Sequence, residues 1–422
     1  MTTSARSVAD QPWFQAPGLR RVFDLLNADG GEVRVVGGAV RNALMGAAVN
    51  DVDLATTLTP DVVTERAKAA GIKVVPTGIA HGTVTLVVDG TPFEVTTLRR
   101  DVSTDGRHAE VAFGTDWAVD AARRDLTMNA LYATASGEVI DLVDGIADIE
   151  RGMVRFIGPA AERVAEDYLR ILRFFRFFAW YGSFRPDADG LRASAQAKSK
   201  LSTLSAERVW AELKKLLSAR DPGRALLWMR TSGVLTEILP ESEKWGIDAI
   251  PGLVATEQAL AWPVDPLLRL AAMVPPDAER LEAMATRLRF SKAEAAVLQA
   301  FAEAGTIKDS MSEAALDRNL YRQGAVGVGF RLKLALVSAR QKAEGDVEAM
   351  VAVGRLGRLL DHTSKWKTPV FPVSGSDLIA NGISPGPAMG ATLADLEEAW
   401  IASGFREKRE SLLKRVTDAP ST

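Results

Sequence analysis

The first 115 or so residues alternate between short apolar runs and turn residues, a pattern typical of strands joined by brief helices. Strands are predicted at Val33 to Val36 and Asp51 to Leu54, and a hairpin with an Asp89-Gly90 turn is predicted over 83–97. Amphipathic or glycine-terminated segments predict helices over 17–27, 39–45 and 60–70.

From about residue 160 the apolar positions change to helical spacing and keep it almost to the end of the chain. The first of these segments predicts one helix from Ala160 to Tyr181. A shift from strands to helices predicts an α+β fold, in which a mixed β-sheet head with helices precedes an all-α remainder.

The amino-acid composition excludes or disfavours several classes of protein. The chain has 422 residues and no cysteine, which excludes disulfide frameworks, thiol nucleophiles and cysteine-ligated zinc sites. It has three scattered histidines, His81, His108 and His362, so a zinc enzyme is disfavoured. A formal net charge of −3 argues against general, sequence-independent binding of nucleic acid. No secretory leader or membrane-spanning run is evident, so we expect a cytoplasmic protein with no membrane partner.

Candidate chemistry begins with Gly37-Gly38 and the pair Asp51 and Asp53, which the two predicted strands bring into one region. Glycines let backbone N–H groups approach phosphate, and carboxylates one residue apart share a strand face where they can hold Mg²⁺. Alone, each feature is more often a turn or a solvated strand end. Their order and spacing favour a metal-dependent nucleotidyl transfer site.

Two further segments carry charges suited to a nucleotide. Glu94 alternates with buried neighbours on its strand and is placed to be a third carboxylate, although an exposed strand glutamate is an equal alternative. Arg123, Arg124 and Asp125 open a predicted helix, where the arginines could clasp a triphosphate and Asp125 could accept from a ribose hydroxyl. An ordinary helix start is the alternative.

Asp167 and Arg170 stand three residues apart, which predicts neighbouring positions on one helix face. Cytosine and adenine both present an amino donor beside a ring-nitrogen acceptor, so an accepting aspartate and a donating arginine can serve either base and reject guanine and uracil. A surface ion pair is the competing interpretation.

Taken in order, these segments resemble the class II tRNA nucleotidyltransferase and bacterial poly(A) polymerase family. The matching motifs are Gly-Gly-x-x-Arg, Asp-Val-Asp-Leu-Ala-Thr, Arg-Arg-Asp-x-Thr-x-Asn-Ala, Asp-x-x-x-Gly-x-x-Asp, Glu-Asp-x-x-Arg-x-x-Arg-x-x-Arg-Phe and Ser-x-Glu-Arg, within 35–213. The resemblance implies a nucleotidyltransferase head (1–158), a base-reading neck (159–220), a helical body (221–345) and a tail that contacts tRNA (346–422).

The resemblance also implies roles for individual residues. Asp51 and Asp53 would hold catalytic Mg²⁺ with Glu94 as third carboxylate, and Glu166 would orient Arg170. The nucleotide-binding set is Gly37, Gly38, Arg41, Arg123, Arg124, Asp125, Asn129, Glu166, Asp167, Arg170 and Arg173. In the tail, the tRNA-binding set is Gly386, Gly390, Arg406, Lys408 and Arg409, with a plain helical cap as the alternative.

Three departures from the family pattern stand out. Asn42 replaces the usual aspartate after Arg41, and Ala47 replaces a basic residue, so phosphate contacts from that loop are in question. The segment Asp101 to His108 resembles the flexible loop that accompanies switching from C to A, but has Arg107-His108 where an arginine pair is common. Its full length argues against an enzyme that adds only C.

The expected activity is addition of C, C and A to the tRNA 3′ end from CTP and ATP without a nucleic-acid template. The 3′ hydroxyl would attack the α-phosphate and pyrophosphate would leave. A poly(A) polymerase is the main alternative, disfavoured by the acidic charge balance. A non-catalytic RNA-binding relative is a weaker one, because the carboxylates are present. DNA is not an expected partner.

Overall fold

The computed structural model describes residues 6–79, 82–105, 108–243, 246–343 and 345–417, and of residues 100–105, 108–111 and 417 the backbone alone. The chain divides into two compact units, Met1–Pro240 and Glu241–Thr422. All strands of the described residues lie in the first unit.

Within the described residues, seven strands form one mixed sheet in the order β3-β4-β5-β2-β1-β8-β9, and β6 and β7 form a separate pair. The β2–β5 pair is parallel and the others are antiparallel. The bounds are β1 Val33–Val36, β2 Asp53–Thr56, β3 Lys73–Gly78, β4 Thr83–Val88, β5 Thr91–Thr97, β6 Arg99–Asp105, β7 His108–Phe113, β8 Leu131–Ala133 and β9 Val139–Asp141. The predicted α+β fold with a mixed-sheet head is confirmed.

The predicted hairpin is confirmed with its turn. Asp89 and Gly90 have φ of 50° and 81°, the left-handed conformation that a tight two-residue hairpin turn requires at both positions. The second predicted strand is shifted, because β2 begins at Asp53. Asp51 therefore precedes the strand, and the prediction that both carboxylates lie on it is wrong.

Helices cover both faces of the sheet. On one side α1 buries Leu19, Val22 and Leu26 against the sheet. On the other, Ala121 of α4 packs in one cluster with Val36 and Tyr132 of the sheet. The helices of the first unit are α1 Pro17–Leu26, α2 Gly38–Leu44, α3 Pro60–Ala69, α4 Trp117–Ala122, α5 Gly145–Arg151, α6 Ala160–Glu166, α7 Leu169–Tyr181, α8 Ala188–Ala197, α9 Ala206–Leu217, α10 Gly223–Ser232 and α11 Val234–Ile238.

The predicted helix from Ala160 to Tyr181 is two helices, α6 and α7. Asp167 breaks it with an extended backbone (φ −153°, ψ 109°), while its Oδ1 accepts from the Leu169 N–H at 3.0 Å. Aspartate competes in this way with helical hydrogen bonding, which is why it favours helix starts over interiors. Asp167 and Arg170 are therefore not on one helix.

The prediction of a helix that begins at Arg123 is also wrong. Residues Thr127–Asn129 form a single 3₁₀ turn, and the chain then enters β8. The Thr127 N–H donates to the Arg155 carbonyl, and the Thr127 hydroxyl donates to buried Asp148 at 2.6 Å. These partners are distant in sequence, so tertiary bonding overrides the local helical pattern.

Helices are the only regular secondary structure in the described residues of the second unit. Its helices are α12 Ile250–Ala259, α13 Pro266–Ala271, α14 Ala278–Arg287, α15 Lys292–Glu303, α16 Glu313–Gln323, α17 Ala325–Lys342, α18 Val347–Lys365, α19 Gly375–Ala380, α20 Pro387–Ala402 and α21 Arg409–Thr417. One core joins α16, α17 and α18, and another centres on Leu378 and Trp400, with Tyr321 against it. No described helix is both long and apolar enough to cross a membrane.

Candidate active site

A cleft of about 800 Å³ opens where β2 begins, within the first unit. It brings together predicted site residues from α2, β2, β5, α7 and the segment between α4 and β8. Those that line it are Gly37, Gly38, Arg41, Asp51, Asp53, Glu94, Arg123, Arg124, Asp125, Asn129 and Arg173. Arg99, Arg176, Phe177 and Lys215 also line it and were not predicted.

The carboxylates gather at one side of the cleft. Asp53 on β2 is the register partner of Glu94 on the parallel strand β5, and Asp51 lies two residues before Asp53. Phe93 and Val95 are buried, which leaves Glu94 on the exposed face as expected. Burial, followed by repulsion from Glu94 and Asp51, raises the pKa of Asp53, and Arg124 opposes this only in part.

This concentration of negative charge fits a hard divalent cation. Among the described residues no three histidine, aspartate or glutamate side chains form a ready metal cage. Mg²⁺ commonly uses one or two carboxylates and completes its shell with substrate phosphates and water. Asp51 and Asp53 supply that donor set beside a cleft lined with arginines.

The glycine pair shapes the floor of the cleft. Gly37 has φ 70° and ψ −115°, and its N–H donates to the Leu131 carbonyl at 2.9 Å. A side chain at a positive φ would be strained there, and a Cβ would lie 3.4 Å from the Asn129 carbonyl oxygen. Because the Gly37 N–H is already bonded, phosphate contacts from this loop must come from the amides that follow.

Arg41 is a buried cation with neutral partners. Its guanidinium donates to Asn129 Oδ1 at 2.6 Å, Asn42 Oδ1 at 2.9 Å and the Tyr181 hydroxyl at 2.9 Å. Burial and nearby Arg176 lower the pKa of Arg41. The departure at Asn42 is therefore accommodated, because the amide oxygen still fixes Arg41 without neutralising its charge.

Arg123 and Arg124 are held by Asp120, which was not predicted. Arg123 Nη2 lies 2.5 Å from Asp120 Oδ1, Arg124 Nη2 lies 2.9 Å from Oδ2, and the Tyr132 hydroxyl donates to Oδ2 at 2.8 Å. Burial alone would raise the pKa of Asp120, but the two arginines outweigh it and lower the pKa. The sequence did contain a signal for this contact, because Asp120 precedes Arg123 by three residues and Arg124 by four, spacings at which side chains on a helix meet.

Asp125 is buried and bonded to other site residues. One oxygen accepts from Arg173 Nε at 2.6 Å, and the other accepts from the Leu126 N–H and the Asn129 amide. Burial would raise the pKa of Asp125, but Arg173 and these hydrogen bonds lower it. Arg173 Nη2 also lies 2.6 Å from the first oxygen, so four donors already surround the carboxylate, two at each oxygen. A carboxylate has about four acceptor positions, so a sugar hydroxyl would bind here in place of one of these donors.

The three residues of the predicted base reader lie beside the cleft and not among its lining residues. Glu166 pairs with both Arg163 and Arg170, and Arg170 also donates to the Arg163 carbonyl at 3.0 Å and the Arg123 carbonyl at 3.3 Å. Arg208 on α9 holds Asp167 Oδ2 at 2.7 Å. In the described part of the chain Arg170 thus uses three of the five N–H donors of a guanidinium.

The remaining predicted residues lie elsewhere. The loop expectation for Asp101 to His108 falls largely outside the described residues, since 106, 107 and the nearby side chains are not described; the same holds for His81. In the second unit, Arg406 and Lys408 are exposed and Arg409 pairs with Asp377. Gly386 and Gly390 have open space where a Cβ would lie.

Two family models match the chain. Residues 33–155 match the model described as "Poly A polymerase head domain", which spans the sheet and the carboxylates. Residues 183–245 match one described as "Probable RNA and SrmB- binding site of polymerase A".

The chain is 35% identical to the mouse mitochondrial CCA tRNA nucleotidyltransferase 1 over an alignment that covers 96% of the chain and 92% of that protein. The chain belongs to the class II CCA-adding tRNA nucleotidyltransferase family. A bacterial member, the CCA-adding enzyme of Levilactobacillus brevis, is 30% identical over 94% of the chain and 97% of its own length.

A solved structure of this CCA-adding family has the same fold. The Bacillus stearothermophilus CCA-adding enzyme in complex with CTP matches with a TM-score of 0.75 and 27% identity, covering 96% of this chain and 98% of that one. Membership of the CCA-adding family implies a nucleotidyltransferase that uses a divalent metal.

Proposed function

We propose that this chain adds C, C and A to the 3′ end of tRNA, taking the nucleotides from CTP and ATP without a nucleic-acid template. The observation that carries the proposal is the match to CCA tRNA nucleotidyltransferases along nearly the whole chain. The cleft supports it, because carboxylates on β2 and β5 face arginines that suit a triphosphate.

Different residues of the cleft have different roles in nucleotidyl transfer. Arg123 and Arg124, fixed by Asp120, clasp the triphosphate, and Asp125 with Asn129 contacts the sugar. Asp51 and Asp53 hold Mg²⁺, with Glu94 adding negative charge. A divalent metal held there would supply Lewis-acid activation of the attacking 3′ hydroxyl and charge stabilisation for the departing pyrophosphate.

Base selection falls to Asp167 and Arg170, which we place next to the cleft in a fixed arrangement. Arg208 orients Asp167, and Glu166 orients Arg170. The free donors of Arg170 and the remaining acceptor sites of Asp167 match the hydrogen-bonding edge that cytosine and adenine share.

We expect the protein to act in the cytoplasm. Subcellular fractionation tests this localisation.

Incorporation from single labelled nucleotides tests the proposal. Purified protein and a tRNA transcript lacking its terminal CCA should incorporate CTP, and ATP only once CTP is supplied, with little UTP or GTP. Chelation with EDTA should stop incorporation and added Mg²⁺ should restore it. Extended incorporation of ATP alone would instead identify a poly(A) polymerase, the activity named by one matching family model.

Asp120→Asn should raise the KM for CTP and ATP by about tenfold, because it loosens both triphosphate arginines without touching the substrate. The Tm should also fall, since a buried carboxylate between two cations is lost. Asp189→Asn, at an exposed i,i+3 pair with Arg192, is the matched control and should leave both unchanged. Unaltered nucleotide KM in folded Asp120→Asn would exclude the positioning role.

Charge reversal at Arg406 and Lys408 should raise the KM for tRNA about tenfold and leave the KM for CTP unchanged. Both side chains are exposed, so their loss removes phosphate contacts and weakens the salt dependence of tRNA affinity. Removing the chain from Pro369 onward is a poorer test, because it uncovers Tyr321, which packs on Trp400 and Phe405. Lys68→Glu on α3 is the control; equal effects of the two changes would contradict a tail contact.

A further inference from the structure

The cleft-lining face of α7 extends one helical turn beyond the cleft. Arg173, Arg176 and Phe177 line the cleft, and Trp180 follows Arg176 by four residues and Phe177 by three. Residues at these spacings share a helix face. The Trp180 side chain is 48% exposed, so a large aromatic surface faces solvent next to the site.

A contact with α9 fixes Trp180 beside the cleft. The Trp180 indole N–H donates to the Lys215 carbonyl at 2.8 Å, and Lys215 itself lines the cleft. The ring is therefore held at its polar edge. The exposed aromatic ring is thus bonded directly to a residue of the candidate active site.

A second aromatic side chain follows after a short turn. Phe184 is 83% exposed, and its φ of 54° is unfavourable for a residue with a side chain. The backbone before it is fixed, since the Ser183 N–H donates to the Gly152 carbonyl at 2.7 Å. Arg224 reaches the Gly182 carbonyl from α10 and brings a cation to the same turn.

We propose that Trp180 and Phe184, with Lys215 and Arg224, form a stacking surface for the unpaired 3′ nucleotides of the RNA being extended. Base stacking on exposed aromatic rings, with cations beside the backbone, is how proteins hold single-stranded nucleic acid without reading its sequence. This inference rests on the proposed function, because the RNA 3′ end must reach the carboxylates of the cleft.

The charge of the surface and its position beside the cleft favour an RNA 3′ end as its ligand. Arg176 and Lys215 line the cleft beside Trp180, and their charges complement the phosphates of a nucleic-acid strand. Sequence-tolerant stacking also suits a 3′ end whose last nucleotide changes after every addition. A protein partner is the alternative outcome of the test.

RNA binding without nucleotides tests the surface directly. Trp180→Ala should weaken binding of a tRNA acceptor-stem hairpin with an unpaired 3′ end about tenfold, and Trp180→Phe should retain most of the affinity because a ring remains. Phe184→Ala should weaken it severalfold. A blunt hairpin of the same stem should bind all variants equally, and Leu142→Ala, another exposed apolar residue of the first unit, is the matched control.

Two results would overturn the inference. One is unchanged affinity for the unpaired end in both Trp180→Ala and Phe184→Ala, including the case in which Trp180→Ala alters the oligomeric state instead. The other is an equal loss of affinity for the blunt hairpin. Extension by the wild-type protein is measured in parallel, so a failure of CCA addition is seen separately from a failure of stacking.

Discussion

Asp53→Ala is expected to lower kcat for CTP and ATP by about a thousandfold or more while leaving the Tm near that of the wild-type protein. The catalytic loss follows because Asp53 supplies a metal ligand where charge develops during transfer. Stability should be kept, since Asp53 lies at the start of β2, outside the hydrophobic core clusters of the first unit, and is repelled by Glu94 and Asp51. Its removal opens no core cavity and relieves that repulsion.

Asp51→Ala should behave in the same way, although Asp51 precedes the strand. Asp61→Ala, an exposed aspartate in the first turn of α3, is the matched control and should keep full activity. Rates are compared at saturating Mg²⁺, so that weakened metal affinity alone is not mistaken for lost chemistry. Near-wild-type turnover of Asp53→Ala or Asp51→Ala would contradict the assignment of these carboxylates to the metal.

Arg170→Ala should reduce kcat/KM for CTP and ATP together, by about ten- to a hundredfold. One arginine serves both nucleotides in the proposed base reader, and a good bidentate contact to a base is worth about 1–3 kcal/mol. Arg170→Lys should not restore activity, because an ammonium lacks the planar pair of donors.

Substitutions at other arginines distinguish a loss of base recognition from a general loss of structure or activity. Arg208→Ala should resemble Arg170→Ala in milder form, because it frees Asp167 without removing it. Arg192→Ala, at an exposed pair on α8, should have no effect. Loss of incorporation for only one of the two nucleotides would contradict a shared reader.

The sheet and its carboxylates were predictable because they depend on short-range pattern. Alternation along β4 and β5 and the Asp89-Gly90 turn specify the hairpin, and Phe93 and Val95 leave Glu94 on the open face. Side chains in a strand alternate by geometry alone. The convergence of Asp53 and Glu94 then follows from one parallel strand pairing.

The features that sequence missed depend on tertiary contacts. The break between α6 and α7 arises at Asp167, which accepts a local bond from Leu169 and is also held by Arg208 of the distant helix α9. The segment after Arg123 joins the sheet at β8, a strand of three residues that leaves almost no periodic signal. Lys215 reaches the cleft only because α9 packs on α7.

Product analysis at single-nucleotide resolution tests the central claim most directly. Three forms of one tRNA are needed: lacking all three terminal nucleotides, ending after the first C, and ending after both. With CTP and ATP together, we expect each form to be extended to the same CCA end and no further. With ATP alone, we expect only the third form to be extended, by one nucleotide. Long adenosine tails on all three forms, or extension that stops after the second C when ATP is present, would contradict it.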